Sequence, residues 1–424
     1  MRFGMENGML KRFFAVIVMC GLSLAIILST RQYKREKLVE QQQQSVKEEE
    51  PEDVKSFDIW YNYNGYEPYL KYVAEEFKKE TGITVNLQCI SDLGYATIIN
   101  EKSIKGNGPD LYISSIVDIE NLYLSGVVSV VTDDSLVNED NYAKKAIQAV
   151  KYGEKVCGYP LGYEVSVLAY NSNYIKEEPA TFEDIMSYVG YDEEGETDFS
   201  GISKILDMES DKMLYNYGFF AEYLRVDKDL ENGKLNVSLN SEEAKSAAVK
   251  YVALKEYFGL SDESRAYTTI VNDFAAGKSL FAILNTQIVG NEAFAGISYG
   301  VMPVPDFTAD LKVTPMSYTE VLVVNQYTDD MENAMKFAKM LSYDYADVMY
   351  EKCHILSTKR GIEYKDPIAN EFFTAYEEST YLPKYMETED FSLLVKNAIN
   401  HIWKGETIVT VLDQLQQTFE TKNE

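Results

Sequence analysis

GYPLGYEVSVLAYN, residues Gly158 to Asn171, lies near the middle of a long alternation of strand-like and helix-like segments. Pro160 disfavours the helical region for Tyr159, so the stretch starts extended. Gly162 lets the backbone bend where a side chain would obstruct. Val165, Val167 and Leu168 then form a β-prone run that ends at Tyr170 and Asn171. One carboxylate, Glu164, stands between the bend and the run. Two readings fit this stretch alone: an ordinary buried strand after a turn, or a crossing where two lobes meet.

Working outward, the N-terminal side reads β-α-β-α-β. Phe57 to Trp60 is a short strand, followed by the polar-aromatic loop Tyr61 to Tyr66. Pro68 opens a helix with Leu70, Val73, Ala74 and Phe77 on one face, and Gly82 closes it. Ile83 to Leu87 is a strand, Ala96 to Lys105 a helix, and Gly106 to Asp110 a turn into the strand Leu111 to Ser114. This order predicts a parallel sheet with ligand sites beyond the carboxyl ends of its strands, here the 61–66 loop and Ser114-Ser115. On the C-terminal side, Thr181 and Asp184 form a capping-box pattern. The acidic loop Asp192 to Glu196 follows. A tyrosine-rich helical region spans Asp211 to Leu224, and Asp227 to Leu235 reads as a polar hairpin or loop. Helices are expected at Ser241 to Phe258, up to Gly277, at Met331 to Ser342, Ser392 to Trp403 and Thr407 to Thr418. Strands are expected at Ser279 to Leu284, Tyr299 to Val304 and Val321 to Asn325, with Pro303 and Pro305 at a crossover between the last two.

At 424 residues the chain suits two large domains. Its 40 basic and 68 acidic residues leave a net charge of −28, which argues against a nucleic-acid partner. Thirty-three tyrosines against 2 tryptophans supply flat rings carrying hydroxyls, suited to ligands with both kinds of surface. The four cysteines form no CxxC pair and the histidines, His354 and His401, are far apart, so no metal and no cofactor are expected. Lys11 and Arg12 precede an apolar run from Phe13 to Leu28, and Arg31, Lys34, Arg35 and Lys37 follow it. Met19 precedes Cys20 and the run continues past it. An uncleaved signal anchor over 13–29 is therefore expected, after a cytoplasmic 1–12 and before a Gln- and Glu-rich linker over 30–55.

Catalytic motifs fail on context. Gly296 to Gly300 matches GxSxG, but a strand follows the serine where a nucleophile elbow needs a helix. Gly277-Lys278-Ser279 imitates the end of a phosphate loop, yet Asn272 stands where the first glycine must be. Glu164 and Glu209 are one of many carboxylate pairs that a glycosidase could use. No catalytic residue is assigned.

Several segments, at matching positions along the chain, resemble the bacterial extracellular solute-binding proteins of family 1. They are FDIWYNYNGYEPYLKYVAEEFKKETGITV (57–85), GNGPDLYISSIVDIENLYLSGVVSVV (106–131), the stretch 158–171 with PATFEDI (179–185), DFAAGKSLFAILN (273–285) and YGVMPVPDF (299–307). The resemblance spans about residues 56 to 424. It implies a periplasmic-binding-protein-like α/β fold, in which two α/β lobes joined by a multi-strand hinge close over ligand. The lobes would be 56–162 with 306–355, and 163–305 with 356–424, hinged near Gly162 and Pro305. It also implies ligand contacts from Asn62, Tyr63, Asn64, Ser114, Ser115, Glu164, Glu209, Tyr215, Asn285 and Gln287. Ser392 stands where maltose-binding members carry a stacking tryptophan, so tyrosines would do the stacking. The expected function is capture of a carbohydrate, an oligosaccharide, for the permease subunits of an ABC importer. The protein would be a monomer, tethered through its N-terminal anchor on the extracellular side of the cell membrane, with no enzymatic activity. Competing readings are a binding protein for a polyamine or other cationic solute, a tethered ligand sensor, and a glycosidase.

Overall fold

The computed structural model describes residues 56–189, 199, 201–384 and 388–422. The expected N-terminal tail, anchor and linker, and the acidic loop Asp192 to Glu196, lie outside these residues. Among the described residues no helix is long and apolar enough to cross a membrane.

The first three strands pair as their order predicts. β1 (Ser56–Tyr61) lies parallel between β2 (Thr84–Cys89) and β3 (Leu111–Ser115), with Ile59 level with Leu87 on one side and Leu111 on the other. The crossovers are α1 (Glu67–Thr81) and α2 (Tyr95–Ile104). Pro68 sits in the first turn of α1, and Gly82 ends it at φ 77°, a left-handed conformation that favours glycine. Tyr69, Leu70, Val73 and Phe77 form its buried face, close to the apolar stripe in the sequence.

β4 (Tyr159–Asn171) runs for 13 residues without interruption, and only Glu164 and Tyr170 along it are not fully buried. The remaining strands of the nine-stranded sheet are β5 (Lys204–Asp207), β6 (Ser279–Asn285), β7 (Tyr299–Met302), β8 (Ser317–Val324) and β9 (Leu356–Ser357). β4 belongs to both halves of this sheet. Tyr159 to Val165 pair antiparallel with β8, which in turn pairs with β3. Ser166 to Tyr170 pair antiparallel with β6, and Leu168 to Asn171 with β7 on the other edge. The strand order is therefore β2-β1-β3-β8-β4-β6-β5, with β7 and β9 also on β4. The chain leaves the first half along β4, builds the second half, and returns past Pro305 to insert β8 between β3 and β4.

Helices cover the second half on both faces. α3 (Glu242–Phe258) lies on one face, and α4 (Tyr267–Ala275) on the other. After β8 come α5 (Met331–Lys339), α6 (Met349–Cys353), α7 (Pro367–Glu377), α8 (Thr388–Trp403) and α9 (Ile408–Lys422). One core runs through the first half and continues under α4 and α7, taking Val167, Ala169, Ala282 and Leu284 from alternate positions of β4 and β6. The second takes Leu168, Phe281 and Ile283 and lies under α3, α8 and α9. That split is the two-residue side-chain period of a strand covered on both faces.

Smaller expectations also meet the structure. Thr181 and Asp184 form a complete capping box. Arg225–Lys228 and Leu235–Ser238 pair as a hairpin. Ser298 lies in a loop ahead of β7, without the helix a nucleophile elbow needs. One strand starts earlier than read from the sequence: β8 begins at Ser317 rather than Val321. Its first four residues gain ladder partners on β4 and β3, so tertiary pairing extends a strand whose Thr and Glu weaken the local signal.

Candidate functional site

A cleft of about 650 Å³ opens beside the junction of the two half-sheets. Its wall draws on Tyr163 and Glu164 of β4, Tyr318 and Glu320 of β8, and Gln287 just beyond β6. Asn62, Tyr63 and Tyr66 reach it from the segment after β1, and His354 from the end of α6. β8 reaches it by alternation: Ser317 and Thr319 are buried, while Tyr318 and Glu320 stand half-buried on the cleft side.

Glu164 is held by two amides. Asn285 donates Nδ2–H to its Oε1 at 2.5 Å, and Gln287 donates Nε2–H to the same oxygen at 3.1 Å. Asn285 is itself fixed. Its Nδ2 also donates to the Tyr215 hydroxyl at 3.0 Å, and its Oδ1 accepts from the Tyr267 hydroxyl at 2.5 Å and from the Gln287 backbone N–H at 3.1 Å. Tyr215 and Tyr267 stack, centroids 5.3 Å apart and planes 12° apart. Burial holds the Glu164 carboxyl above the usual carboxylate range, against the opposing pull of Lys212 and the bond from Gln287.

Glu320 has a different environment. Part of its side chain touches the cleft, but Oε2 is sealed from solvent and has no hydrogen-bond partner among the described residues. Burial, then the Glu164 and Asp118 carboxylates, push its carboxyl up to about 8. Tyr163 is 3 % exposed, and its hydroxyl likewise lacks a partner among the described residues.

Aromatic faces flank these groups. Tyr63 is 56 % exposed and meets Tyr66 edge-on, centroids 6.1 Å apart. Its ring folds across Gly65, where a Cβ would lie 2.3 Å from the ring edge. Tyr163 stacks on Tyr376 at 4.1 Å. His354 takes a left-handed conformation, φ 56°, and its ring packs against Gly290 so closely that a Cβ there would be 2.6 Å away. Gly162 answers the same kind of demand. A Cβ on it would sit 2.5 Å from the Tyr66 hydroxyl and 2.8 Å from Ile355 Cγ2. The strand passes straight through this position, so what requires glycine here is close approach by neighbours.

Four of the ten residues expected at the ligand line the cleft: Asn62, Tyr63, Glu164 and Gln287. Asn285 and Tyr215 stand behind Glu164 as its supports. Asn64 begins a short 3₁₀ turn after β1 and is not in the wall. Ser114 is fully buried and donates to Asp118 at 3.2 Å, while Ser115 pairs with Glu320 across the β3–β8 ladder. Glu209 lies 3.5 Å from Lys212 and is outside the wall. The sequence placed Tyr66 in the predicted 61–66 ligand loop but did not single out Tyr163, Tyr318, Glu320 or His354. The available signal for Glu320 was a lone carboxylate in the β-prone run SYTEVLVV, two residues from a tyrosine of the same strand face. Among the described residues no group of three or more His, Cys, Asp or Glu is placed to hold a metal.

Comparison with known proteins places this geometry. Residues 72–347 match the profile of the family described as bacterial extracellular solute-binding protein. The maltodextrin-binding protein MdxE of Bacillus subtilis (strain 168) is 24 % identical over 335 residues, covering 76 % of this chain and 79 % of that protein. A maltooligosaccharide ABC transporter solute-binding lipoprotein of Streptococcus pneumoniae (strain ATCC BAA-255 / R6) is 23 % identical over 315 residues, 71 % of each chain. Among solved structures, a cyclo/maltodextrin-binding protein complexed with maltotetraose superposes with a TM-score of 0.74 at 20 % identity, covering 88 % of this chain and 98 % of that one. An extracellular solute-binding protein from Staphylococcus aureus in complex with maltose gives 0.73 at 17 % identity, again over 88 % and 98 %. These likenesses establish the two-lobed α/β fold of such binding proteins. With more than half of its length matched by the family profile, this chain belongs to the bacterial extracellular solute-binding proteins.

Proposed function

We propose that this protein captures a carbohydrate, an oligosaccharide, in the cleft and delivers it to the permease subunits of an ABC importer. The observation that carries this reading is the wall itself: a carboxylate held in place by two amides, beside the exposed ring of Tyr63. Hydroxyls of a sugar donate to carboxylates and accept from amides, while pyranose faces stack on aromatic rings. The names of the relatives, maltodextrin and maltooligosaccharide binders, support the same class. In this reading 56–162 with 306–355 form one lobe and 163–305 with 356–424 the other, hinged near Gly162 and Pro305. Ligand favours the closed arrangement by binding it better than the open one. The protein acts as a monomer without covalent chemistry, held at the outer face of the cell membrane by the apolar run 13–29.

A thermal-shift screen of the full chain tests this. A bound glycan raises the unfolding midpoint; at a hundredfold excess over Kd the stabilisation is about 2.7 kcal/mol. The acidic composition favours a second reading, a polyamine or other cationic solute. Stabilisation by spermidine and by no glycan would establish that reading in place of the first.

A further inference from the structure

The cleft wall carries two carboxylates, with His354 its only basic side chain among the described residues. Glu164 and Glu320 both line it, and among its described residues there is no lysine or arginine. The cation that Glu164 feels is Lys212, which lies 3.5 Å from Glu209. Glu164 also has its two amide donors. Glu320 has no comparable support. The ionisable groups coupled to it come from four neighbouring segments: Tyr66 after β1, Tyr95 in α2, Asp118 after β3 and Glu164 on β4. All four are acids, so none neutralises its charge.

A buried carboxylate oxygen left in this state is costly until something donates to it. A neutral sugar hydroxyl can bond to the protonated carboxyl as it stands. A protonated amine instead pairs with the ionised carboxylate, and charge-assisted bonds are about twice as strong as neutral ones. Tyr66 and Tyr318 line the same wall.

We propose that Glu320 makes the cleft selective for an amino-sugar oligosaccharide, whose ammonium group seats against the cleft-facing side of the Glu320 carboxyl on β8. This rests on the carbohydrate reading above. Because Glu320 holds its proton up to about pH 8, an arriving ammonium displaces it. Seating the amine thus releases a proton from the protein, whereas a neutral glycan leaves it in place.

The test is calorimetric titration of the full chain with the fully deacetylated glucosamine trimer and with maltotriose, at a pH below the amine's own pKa. Wild type is expected to bind the glucosamine trimer at least about tenfold more tightly than maltotriose, the lower end of what a desolvated charge pair contributes. Glu320→Gln, checked to be folded by its far-UV circular dichroism, is expected to lose that preference. Titrations in two buffers of different ionisation enthalpy need no variant, and should show proton release with the glucosamine trimer only. Equal wild-type affinities, an unchanged preference in Glu320→Gln, or no proton release would each overturn the proposal. If maltotriose binds and the glucosamine trimer does not, this inference fails and the carbohydrate reading stands. If neither trimer binds and spermidine does, both fail.

Discussion

Asn285 and Glu164 are 121 positions apart in the chain, yet the amide of one holds the carboxylate of the other. Asn285 is 1 % exposed and also satisfies two tyrosine hydroxyls. Asn285→Ala is expected to destabilise the protein by about 1–3 kcal/mol for each buried group left unpaired, measured by urea unfolding. Glu320 works in the opposite sense. Its folded pKa, about 8, lies above the usual 4.5, so the folded state holds a proton that the unfolded chain releases. The contribution of this group to stability is full below pH 4.5 and is lost as pH rises towards about 8. In Glu320→Gln the fall in stability across that window should be shallower; an unchanged slope in denaturation series would refute the assignment. Glu164 was legible in the sequence because it sits inside a motif, beside a glycine and a β-prone run. Glu320 was not, because its importance comes from Asp118 and Glu164, which reach it only through pairing on either side of β8.

The repeating elements of the first half could be read almost to their ends, since proline, glycine and the apolar stripe of α1 are local signals. β8 could not, because its first four residues are held by neighbours on both edges rather than by propensity. Gly162 could be identified but not explained: the sequence shows a glycine, and only the packed structure shows the Tyr66 hydroxyl and Ile355 beside it. Both neighbours are constrained, so Gly162→Ala should cost about 1–3 kcal/mol through overpacking, and Gly162→Val more, in equilibrium unfolding. A Gly162→Val protein as stable as wild type would show that the strand can shift aside. A pivot at this position would then rest on the backbone alone.

At the scale of the whole molecule, the cleft carries its own reporter. Cys353 lines it, half-buried, with a thiol that burial pushes up to about 11, while Cys89 is exposed on the edge of the first half. Alkylation followed by peptide mass mapping should find Cys353 protected by whichever glycan the thermal screen selects, with Cys89 modified at the same rate throughout. Equal loss of both thiols with and without that glycan would place it elsewhere. Small-angle scattering on the same samples should show contraction as the lobes close.

The return of the chain along β8 also dictates an order of events. Met316 and Ser166 are in contact across 150 positions, and β8 fills the gap between β3 and β4. Until residue 324 has left the ribosome, the first-made part of the protein lacks the strand that joins its sheet together. The second half is encoded without interruption between β4 and β7, so it has its sheet partners earlier. Long-range closure of this kind is slow. A nascent chain stalled before Ser317 should therefore protect the amides of β6 from exchange while those of β1 and β3 remain open. If the chain is exported by threading through a membrane, as the proposed function requires, such delay would keep the leading half unfolded during the interval in which threading has to begin.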